Sequence, residues 1–177
     1  MVSSAAVVAV RKRKSTGGGG AVDKSGVLGQ EVNIASKDHV FISHAEEDKS
    51  VAVDIAKGLE DAGYKTWYYE RDSIPGKSYI MVSSQAIEQS KAVVLIISRD
   101  SLRSNQVHTE VVTAHEAEKT FIPILSGVSH IEFQQTRPEW RRILGTATSV
   151  TLPREGVPAI LGRIIAGLTN TTPNTEK

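Results

Sequence analysis

Residues 92–98 read Ala-Val-Val-Leu-Ile-Ile-Ser, a short run that is almost wholly apolar and rich in β-branched side chains. Such a run is typical of a strand buried on both faces, and strands of this kind occur in parallel sheets covered by helices. Ser101, Ser104 and Asn105 follow the run and are typical of a helix start. This stretch therefore favours an α/β fold in which a helix directly follows a central strand.

The helix after this strand carries a carboxylate close to its buried side. Val107, Val111 and Ala114 mark its inward stripe. Glu110 lies three residues after Val107 and four before Ala114, so we expect it at the edge of that stripe, half-turned toward the core. Open α/β sheets bind ligands beyond the carboxyl ends of their strands, which is where this helix begins. An acidic residue in a first helical turn is also favoured by the helix dipole alone, which is the simpler reading of Glu110.

Strand and helix patterns alternate five times along the chain. Beside residues 92–98, strand patterns occupy residues 40–42, 65–70, 120–125 and 147–152. Helical periodicity predicts further helices at about residues 47–62, 78–89, 139–143 and 157–168. Residues 71–76 are a loop by composition.

This alternation predicts a flavodoxin-like open five-stranded parallel sheet, with strand order 2-1-3-4-5 and helices on both faces. The chain order switches direction between the first and third strands of such a sheet. Ser43 and His44 end the first strand, while Ser98 and Arg99 end the third. We therefore expect these four residues to face one crevice, with the Glu110 helix beginning at its rim.

The ends of the chain do not have the composition of a fold. We expect residues 1–37 to be a disordered basic and glycine-rich arm or linker, residues 38–168 to be one domain, and residues 169–177 to be a disordered tail. Residues 11–14 read Arg-Lys-Arg-Lys and residues 17–20 are four glycines. The basic cluster is read as a solvated arm, with a nuclear-import or anionic-surface patch as the alternative. A secretory signal fits poorly because the charges follow the short apolar segment.

Composition excludes several classes of chemistry. The chain has no cysteine, which excludes disulfides, thiol nucleophiles and cysteine-bound metals. No apolar run approaches the roughly 18 residues that span a bilayer, and we expect a cytoplasmic location. Residues 38–168 hold 14 basic and 17 acidic residues, so no nucleic-acid partner is expected for the folded part. The histidines lack the spacing of metal ligands, and no metal site is expected.

Three segments together resemble a Toll/interleukin-1 receptor (TIR) domain of the prokaryotic type. Residues 40–44 with Asp48 resemble the first box of that family. Residues 69–76, which contain Arg-Asp and Pro-Gly elements, resemble the second strand and the following BB loop. Residues 104–110 resemble the segment that carries the catalytic glutamate in enzymatic members. The likeness extends over about residues 38–168.

The resemblance implies an NAD+ glycohydrolase or cyclase with Glu110 as catalytic residue. Members of this kind cleave the nicotinamide–ribose bond to give nicotinamide and ADP-ribose or a cyclic isomer. NAD+ is then the substrate, and no cofactor is expected. The bond breaks through a ribosyl cation, which a nearby carboxylate stabilises. Self-association would activate such an enzyme, in immune or stress signalling.

Crevice position and family resemblance together give the remaining candidate residues. The candidate substrate-binding residues are Ser43, His44, Ala45, Tyr69, Arg71, Asp72, Ser104 and Gln106. The candidate interaction loop between TIR domains consists of Asp72, Ser73, Ile74, Pro75 and Gly76. Expected partners are NAD+, other TIR domains in self-associated or filamentous assemblies, and a sensor domain or partner protein.

Two departures from the family pattern favour an alternative function. Enzymatic relatives often have tryptophan four residues before the glutamate, where this chain has Gln106. Some NAD-cleaving relatives carry arginines after the first strand, where this chain has Ala45, Glu46 and Glu47. The alternative is a non-enzymatic TIR–TIR interaction module, acting as an adaptor or host-directed modulator. A receiver domain is disfavoured because Ser43, rather than an acidic residue, ends the first strand.

Overall fold

The computed structural model describes residues 38–170 of the chain. The predicted arm at residues 1–37 lies outside the described residues, as do residues 171–177 of the predicted tail. The last helix includes Thr169, so the ordered domain extends past the predicted boundary at residue 168.

The described domain is built on one parallel sheet. Its strands are β1 (His39–Ser43), β2 (Thr66–Trp67), β3 (Ser90–Ile97), β4 (Thr120–Leu125) and β5 (Val150–Thr151). Their order across the sheet is β2-β1-β3-β4-β5, and every neighbouring pair is parallel. The predicted fold class and strand order are therefore confirmed.

Seven α-helices connect and follow these strands in residues 38–170. They are α1 (Lys49–Asp61), α2 (Tyr69–Asp72), α3 (Tyr79–Gln89), α4 (Asn105–Glu116), α5 (His130–Thr136), α6 (Pro138–Leu144) and α7 (Leu161–Thr169). Short 3₁₀ turns at Glu46–Asp48 and Val157–Ala159 precede α1 and α7. None of these helices combines the length and the apolar content that crossing a bilayer requires.

The central strand β3 divides the apolar core into two layers. Val93, Leu95 and Ile97 point to one face, where they pack with α3, α4, α5 and α6. The alternate residues of β3 point to the other face, where α1 and α7 cover them. Both faces of β3 are buried, which explains why its sequence is continuously apolar.

The segment after β2 differs from the prediction. Tyr69 and Glu70 were expected in the second strand, and Arg71 and Asp72 in a loop, but these four residues form the single helical turn α2. The Asp72 carboxylate accepts a hydrogen bond from the backbone N–H of Tyr68 at 3.0 Å. Arg71 donates to the carbonyl oxygen of Thr66 at 2.6 Å. These side-chain bonds to the backbone close the turn and end the strand after Trp67.

The carboxyl-terminal third also differs in detail. The predicted strand at residues 147–152 is only the two-residue β5, and the predicted helix at 157–168 begins with a 3₁₀ turn. Helix α5 was not predicted. The Ser129 hydroxyl caps α5 by accepting a hydrogen bond from the N–H of Glu132 at 3.1 Å. The Ser-x-x-Glu spacing at residues 129–132 is a capping-box signal that marks this helix start.

A hydrogen bond between two side chains fixes α6 against α4. The indole Nε1–H of Trp140 donates to Nδ1 of His108 at 3.0 Å, and the two rings lie nearly parallel. Trp140 is fully buried in the layer that also covers α4. A buried indole N–H needs an acceptor, and His108 supplies it. His108 lies two residues before Glu110 on the same helix.

We predict that His108→Leu destabilises the domain by about 1–3 kcal/mol, because the buried indole N–H of Trp140 loses its acceptor. The measurement is the free energy of unfolding from urea denaturation. The matched control is His115→Leu, an exposed position near the end of α4, which should change the unfolding free energy by no more than about 0.5 kcal/mol. Equal losses in the two variants would contradict a role for this hydrogen bond.

Candidate functional site

Glu110 lies within the buried stripe of α4 rather than at its edge. Val107, Glu110, Val111 and Ala114 are all buried, and Glu110 is only 4% exposed. Helix α4 begins at Asn105 because the Ser104 hydroxyl accepts a hydrogen bond from the N–H of Val107 at 3.2 Å. The helix start thus fixes which face of α4 is turned to the sheet, and this face carries the carboxylate.

Two hydroxyl groups hold the Glu110 carboxylate. The Ser43 hydroxyl donates to Oε2 at 2.5 Å, and the Tyr79 hydroxyl donates to Oε1. Ser43 is two residues after Phe41, so strand alternation turns both side chains to the face covered by α3 and α4. Tyr79 is the first residue of α3. The carboxylate therefore connects β1, α3 and α4 at the carboxyl edge of the sheet.

Burial raises the pKa of the Glu110 carboxyl from its usual value to about 7. The hydrogen bonds from Ser43 and Tyr79 lower this pKa, while the nearby charge of Glu70 raises it. Loss of hydration outweighs the two hydrogen bonds because the group is almost wholly enclosed. Glu110 is thus divided between its acid and carboxylate forms near neutral pH.

Tyr79 covers the outer side of the Glu110 carboxylate. Its ring meets Tyr69 edge to face, with ring centroids 4.6 Å apart and an interplanar angle of 74°. Burial, followed by the charge of Glu110, raises the pKa of the Tyr79 phenol above its usual value. The phenol therefore stays protonated at neutral pH and acts as a hydrogen-bond donor to Glu110.

A cavity of about 600 Å³ opens at the carboxyl edge of the sheet. Its lining residues are His44, Ala45, Glu46, Glu47, Tyr69, Glu70, Asp100, Arg103, Ser104 and Gln106. Glu110 does not itself line this space. It lies directly behind the wall, because Ser43 precedes His44, Tyr69 packs on Tyr79, and Gln106 is one helical turn before Glu110.

His44 links the end of β1 to α2. Its Nδ1 lies 3.2 Å from the carbonyl oxygen of Ile42, and its Nε2 lies 3.0 Å from Oε2 of Glu70. The second contact has the distance of an ion pair without the alignment of a hydrogen bond. His44 is buried while Glu70 is partly exposed, so the pair extends from the interior to the surface of the domain.

A second buried carboxylate, Asp48, connects the segments that follow β1 and β3. The Ser98 hydroxyl donates to Asp48 at 2.5 Å and accepts a hydrogen bond from the N–H of Ser101 at 3.0 Å. Burial raises the pKa of the Asp48 carboxyl, and the Ser98 hydrogen bond offsets part of that rise. This contact ties the segment after β1 to the segment after β3, which are the two chain segments that the strand order brings together.

The predicted substrate-binding residues divide into three groups. His44, Ala45, Tyr69, Ser104 and Gln106 line the cavity. Ser43 instead binds the Glu110 carboxylate. Arg71 and Asp72 lie outside the lining.

Arg71 and Asp72 are held in a network of charges at the surface. The Arg71 guanidinium donates to Asp72 at 2.9 Å and to Glu60 at 2.6 Å. Glu60 also accepts a hydrogen bond from the Thr66 hydroxyl. The network fixes α2 to α1 and β2, and contact of Arg71 and Asp72 with substrate stays a prediction.

The predicted interaction loop contains a tight turn. The N–H of Lys77 donates to the carbonyl oxygen of Ile74 at 3.1 Å, with Pro75 and Gly76 at the two central positions. Gly76 has a φ angle of +83°, which a type II turn requires at this position. Exposed apolar side chains lie around the turn: Ile74 at 39%, Ile80 at 60% and Met81 at 72% exposure.

Sequence reasoning did not identify Tyr79, Arg103, Glu70 and Asp100 as site residues. The topology could have identified Tyr79, because Tyr79 starts α3, the helix that leads from β2 to β3, and therefore lies at the same sheet edge as the other candidates. Arg103 and Asp100 lie between β3 and α4, the segment that the sequence already placed at the crevice. Within residues 38–170, no group of three or more His, Asp or Glu side chains is arranged to hold a metal ion.

A sequence model of the TIR domain family matches residues 40–152. The chain belongs to the TIR domain family. This TIR domain is 36% identical over 95 residues to a stimulator of interferon genes protein of Magallana gigas, covering 50% of this chain and 23% of that protein. It is 29% identical over 115 residues to the 2′ cyclic ADP-D-ribose synthase BtTIR of Bacteroides thetaiotaomicron, covering 62% of this chain and 40% of that enzyme.

Solved structures have the same fold as this TIR domain. The metazoan TIR-STING receptor from C. gigas, in complex with 2′,3′-cGAMP, superposes with a TM-score of 0.60 and 28% identity. The match covers 73% of this chain and 39% of the receptor chain. This chain thus spans less than half the length of these relatives.

We predict that replacing Glu110 with glutamine removes a pH-dependent loss of stability from this TIR domain. The carboxyl pKa is higher in the folded protein than in the unfolded chain, so wild-type stability falls as pH rises from about 4.5 to about 7. Glutamine does not ionise. The difference in unfolding free energy between Glu110→Gln and wild type should therefore shift in favour of the variant by about 2–3 kcal/mol from pH 5 to pH 8.

The measurement is urea denaturation at a series of pH values. Glu116→Gln alters an exposed carboxylate on the same helix and should follow the wild-type pH profile. Parallel profiles for wild type and Glu110→Gln would show that the buried carboxyl is not the group responsible.

Proposed function

We propose that this TIR domain cleaves the bond between nicotinamide and ribose in NAD+, with Glu110 as the catalytic carboxylate. The observation that carries the proposal is the buried, hydroxyl-bound Glu110 directly behind a cavity of about 600 Å³. A cavity of this size fits a nucleotide-sized ligand. The similarity of this TIR domain to BtTIR, a 2′ cyclic ADP-D-ribose synthase, supports the same class of reaction.

The chemistry needs a carboxylate and no acid. When the C1′–N bond breaks, its electron pair passes to the pyridinium nitrogen, so nicotinamide leaves as a neutral molecule. Positive charge then develops on C1′ and the ribose ring oxygen. The Glu110 carboxylate stabilises this charge across a short distance in a poorly solvated site. Water adds to C1′ and releases a proton to give ADP-ribose, or a hydroxyl of the same molecule adds to give a cyclic isomer.

Catalysis requires that Tyr79 move away from Glu110. Both carboxylate oxygens are occupied by hydroxyls, and the outer one belongs to Tyr79. Tyr79 follows directly after the exposed turn at residues 74–77. Self-association through this turn would move the start of α3 and uncover the carboxylate, which couples assembly to NAD+ cleavage in signalling.

The covered carboxylate also favours a second candidate, a TIR–TIR interaction module without enzymatic activity. In this case Glu110 serves only to connect β1, α3 and α4. The exposed side chains of Ile74, Ile80 and Met81 would then form the contact between domains. Assembly of the wild-type protein without nicotinamide release at any concentration would favour this candidate.

We predict that Glu110→Gln lowers the rate of nicotinamide release by about 10²-fold or more, because the developing ribosyl cation loses its counter-charge. The wild-type rate should rise with pH through about 7, since only the ionised carboxylate is active. The measurement is nicotinamide release from NAD+ by concentrated protein at pH 5 to 9. Wild-type turnover by the variant would end the enzymatic proposal.

We predict that Tyr79→Phe raises kcat/KM for NAD+ several-fold in dilute protein at pH 9, where Glu110 stays ionised without this hydrogen bond, because it removes the hydroxyl that covers Oε1 of Glu110. Ser43→Ala is the matched variant. It removes the inner hydrogen bond and leaves the Tyr79 cover in place, so its activity should not rise. A lower rate for Tyr79→Phe would mean that the phenol takes part in the reaction instead of covering the carboxylate.

A further inference from the structure

The charges around the cavity are unevenly distributed. Among the described residues, four carboxylates line it, from Glu46, Glu47, Glu70 and Asp100, and the imidazole of His44 lies beside Glu70. In the part of the chain that the structure describes, Arg103 is the only lysine or arginine in the lining. A dinucleotide with two phosphate charges meets repulsion along most of this wall and attraction at one point.

The Arg103 guanidinium is also free to bind an anion. Two other arginines of the domain are paired, Arg71 with Glu60 and Asp72, and Arg99 with Glu132 at 2.8 Å. Among residues 38–170, Arg103 has no side-chain hydrogen bond or close ion pair, and it is exposed at the rim. The hydrogen bond from Arg99 lowers the pKa of the Glu132 carboxyl, and the charge of Arg103 lowers it further. A phosphate can therefore bind to Arg103 without breaking an existing hydrogen bond.

The backbone around Arg103 is fixed. The N–H groups of Arg103 and Ser104 both donate to the carbonyl oxygen of Asp100 at 3.0 Å. Ser104 then caps α4, so Arg103 has a set position relative to Glu110. From Asn105 to Glu110 the helix rises about 8 Å, a distance on the scale of the ribose that separates the cleaved bond from the nearest phosphate.

We propose that Arg103 binds the pyrophosphate of the dinucleotide and thereby determines both its orientation and the preference for phosphorylated substrates. This inference rests on the proposed function and specifies its substrate contacts. The planar guanidinium donates two parallel N–H bonds to phosphate oxygens. With the phosphates at Arg103, the cationic pyridinium ring faces the acidic wall and the C1′ atom lies toward Glu110. The reverse orientation would set the phosphates against the carboxylates.

The test compares three substrates that differ in phosphate number: NAD+ with two, nicotinamide mononucleotide with one, and nicotinamide riboside with none. We expect Arg103→Gln to raise KM for NAD+ at least 10-fold with kcat within about twofold. The increase should be smaller for the mononucleotide and absent for the riboside. Arg142→Gln is the matched control, because Arg142 is an exposed arginine of α6 that does not line the cavity, and its KM values should equal wild type.

An unchanged KM for NAD+ in Arg103→Gln would overturn the assignment. An equal rise in KM for all three substrates would also overturn it, because the effect would not depend on phosphate.

Binding of ADP-ribose, measured by titration calorimetry, separates this assignment from the proposed function. We expect Arg103→Gln to weaken ADP-ribose binding at least 10-fold and Arg142→Gln to leave it unchanged. If wild type cleaves none of the three substrates but shows this pattern of binding, the enzymatic proposal fails and the Arg103 assignment stands. If ADP-ribose binds equally to wild type and Arg103→Gln, or to neither, the assignment fails whatever the turnover.

Discussion

The burial of the Glu110 carboxylate is the interaction on which the rest of the site depends. An ionisable group that is 4% exposed loses most of its hydration, and only the hydroxyls of Ser43 and Tyr79 replace it. These two donors belong to β1 and α3, while Glu110 belongs to α4. The two hydrogen bonds that offset the cost of burying the carboxylate therefore also join three elements at the carboxyl edge of the sheet.

The parts around this carboxylate differ in how firmly they are held. Asp48 and Ser98 bind the segments after β1 and β3 to each other, and Arg71 binds α2 to α1 and β2. Residues 73–78 lie between the Arg71 network and Tyr79, with exposed side chains over most of that length. Movement that uncovers Glu110 can therefore be confined to this short segment and the start of α3, while the walls of the cavity stay in place.

The sequence predicted the sheet and its order because β3 has a long apolar run and each crossover is helical. It also placed Glu110, Ser43 and His44 near one another, since parallel strands end at the same edge. It missed the α2 turn, because the aromatic residues 67–69 have strand propensity and only the contacts of Arg71 and Asp72 override it. Periodicity predicted Glu110 at the edge of the buried stripe of α4. It could not predict full burial, because burial depends on the hydroxyls of Ser43 and Tyr79, which are distant in the sequence.

Uncovering the carboxylate has two opposite effects on the pKa of Glu110. The Tyr79 hydrogen bond lowers the pKa of Glu110, so losing that bond alone would favour the neutral acid. The same movement admits water, and loss of hydration is the largest cause of the raised pKa. We therefore expect the regained hydration to outweigh the lost hydrogen bond, so that the pKa of Glu110 falls if the site opens. Under the proposed function, Glu110 would then become exposed and ionised in one step, and the state open to a dinucleotide would also carry the charge that a ribosyl cation needs.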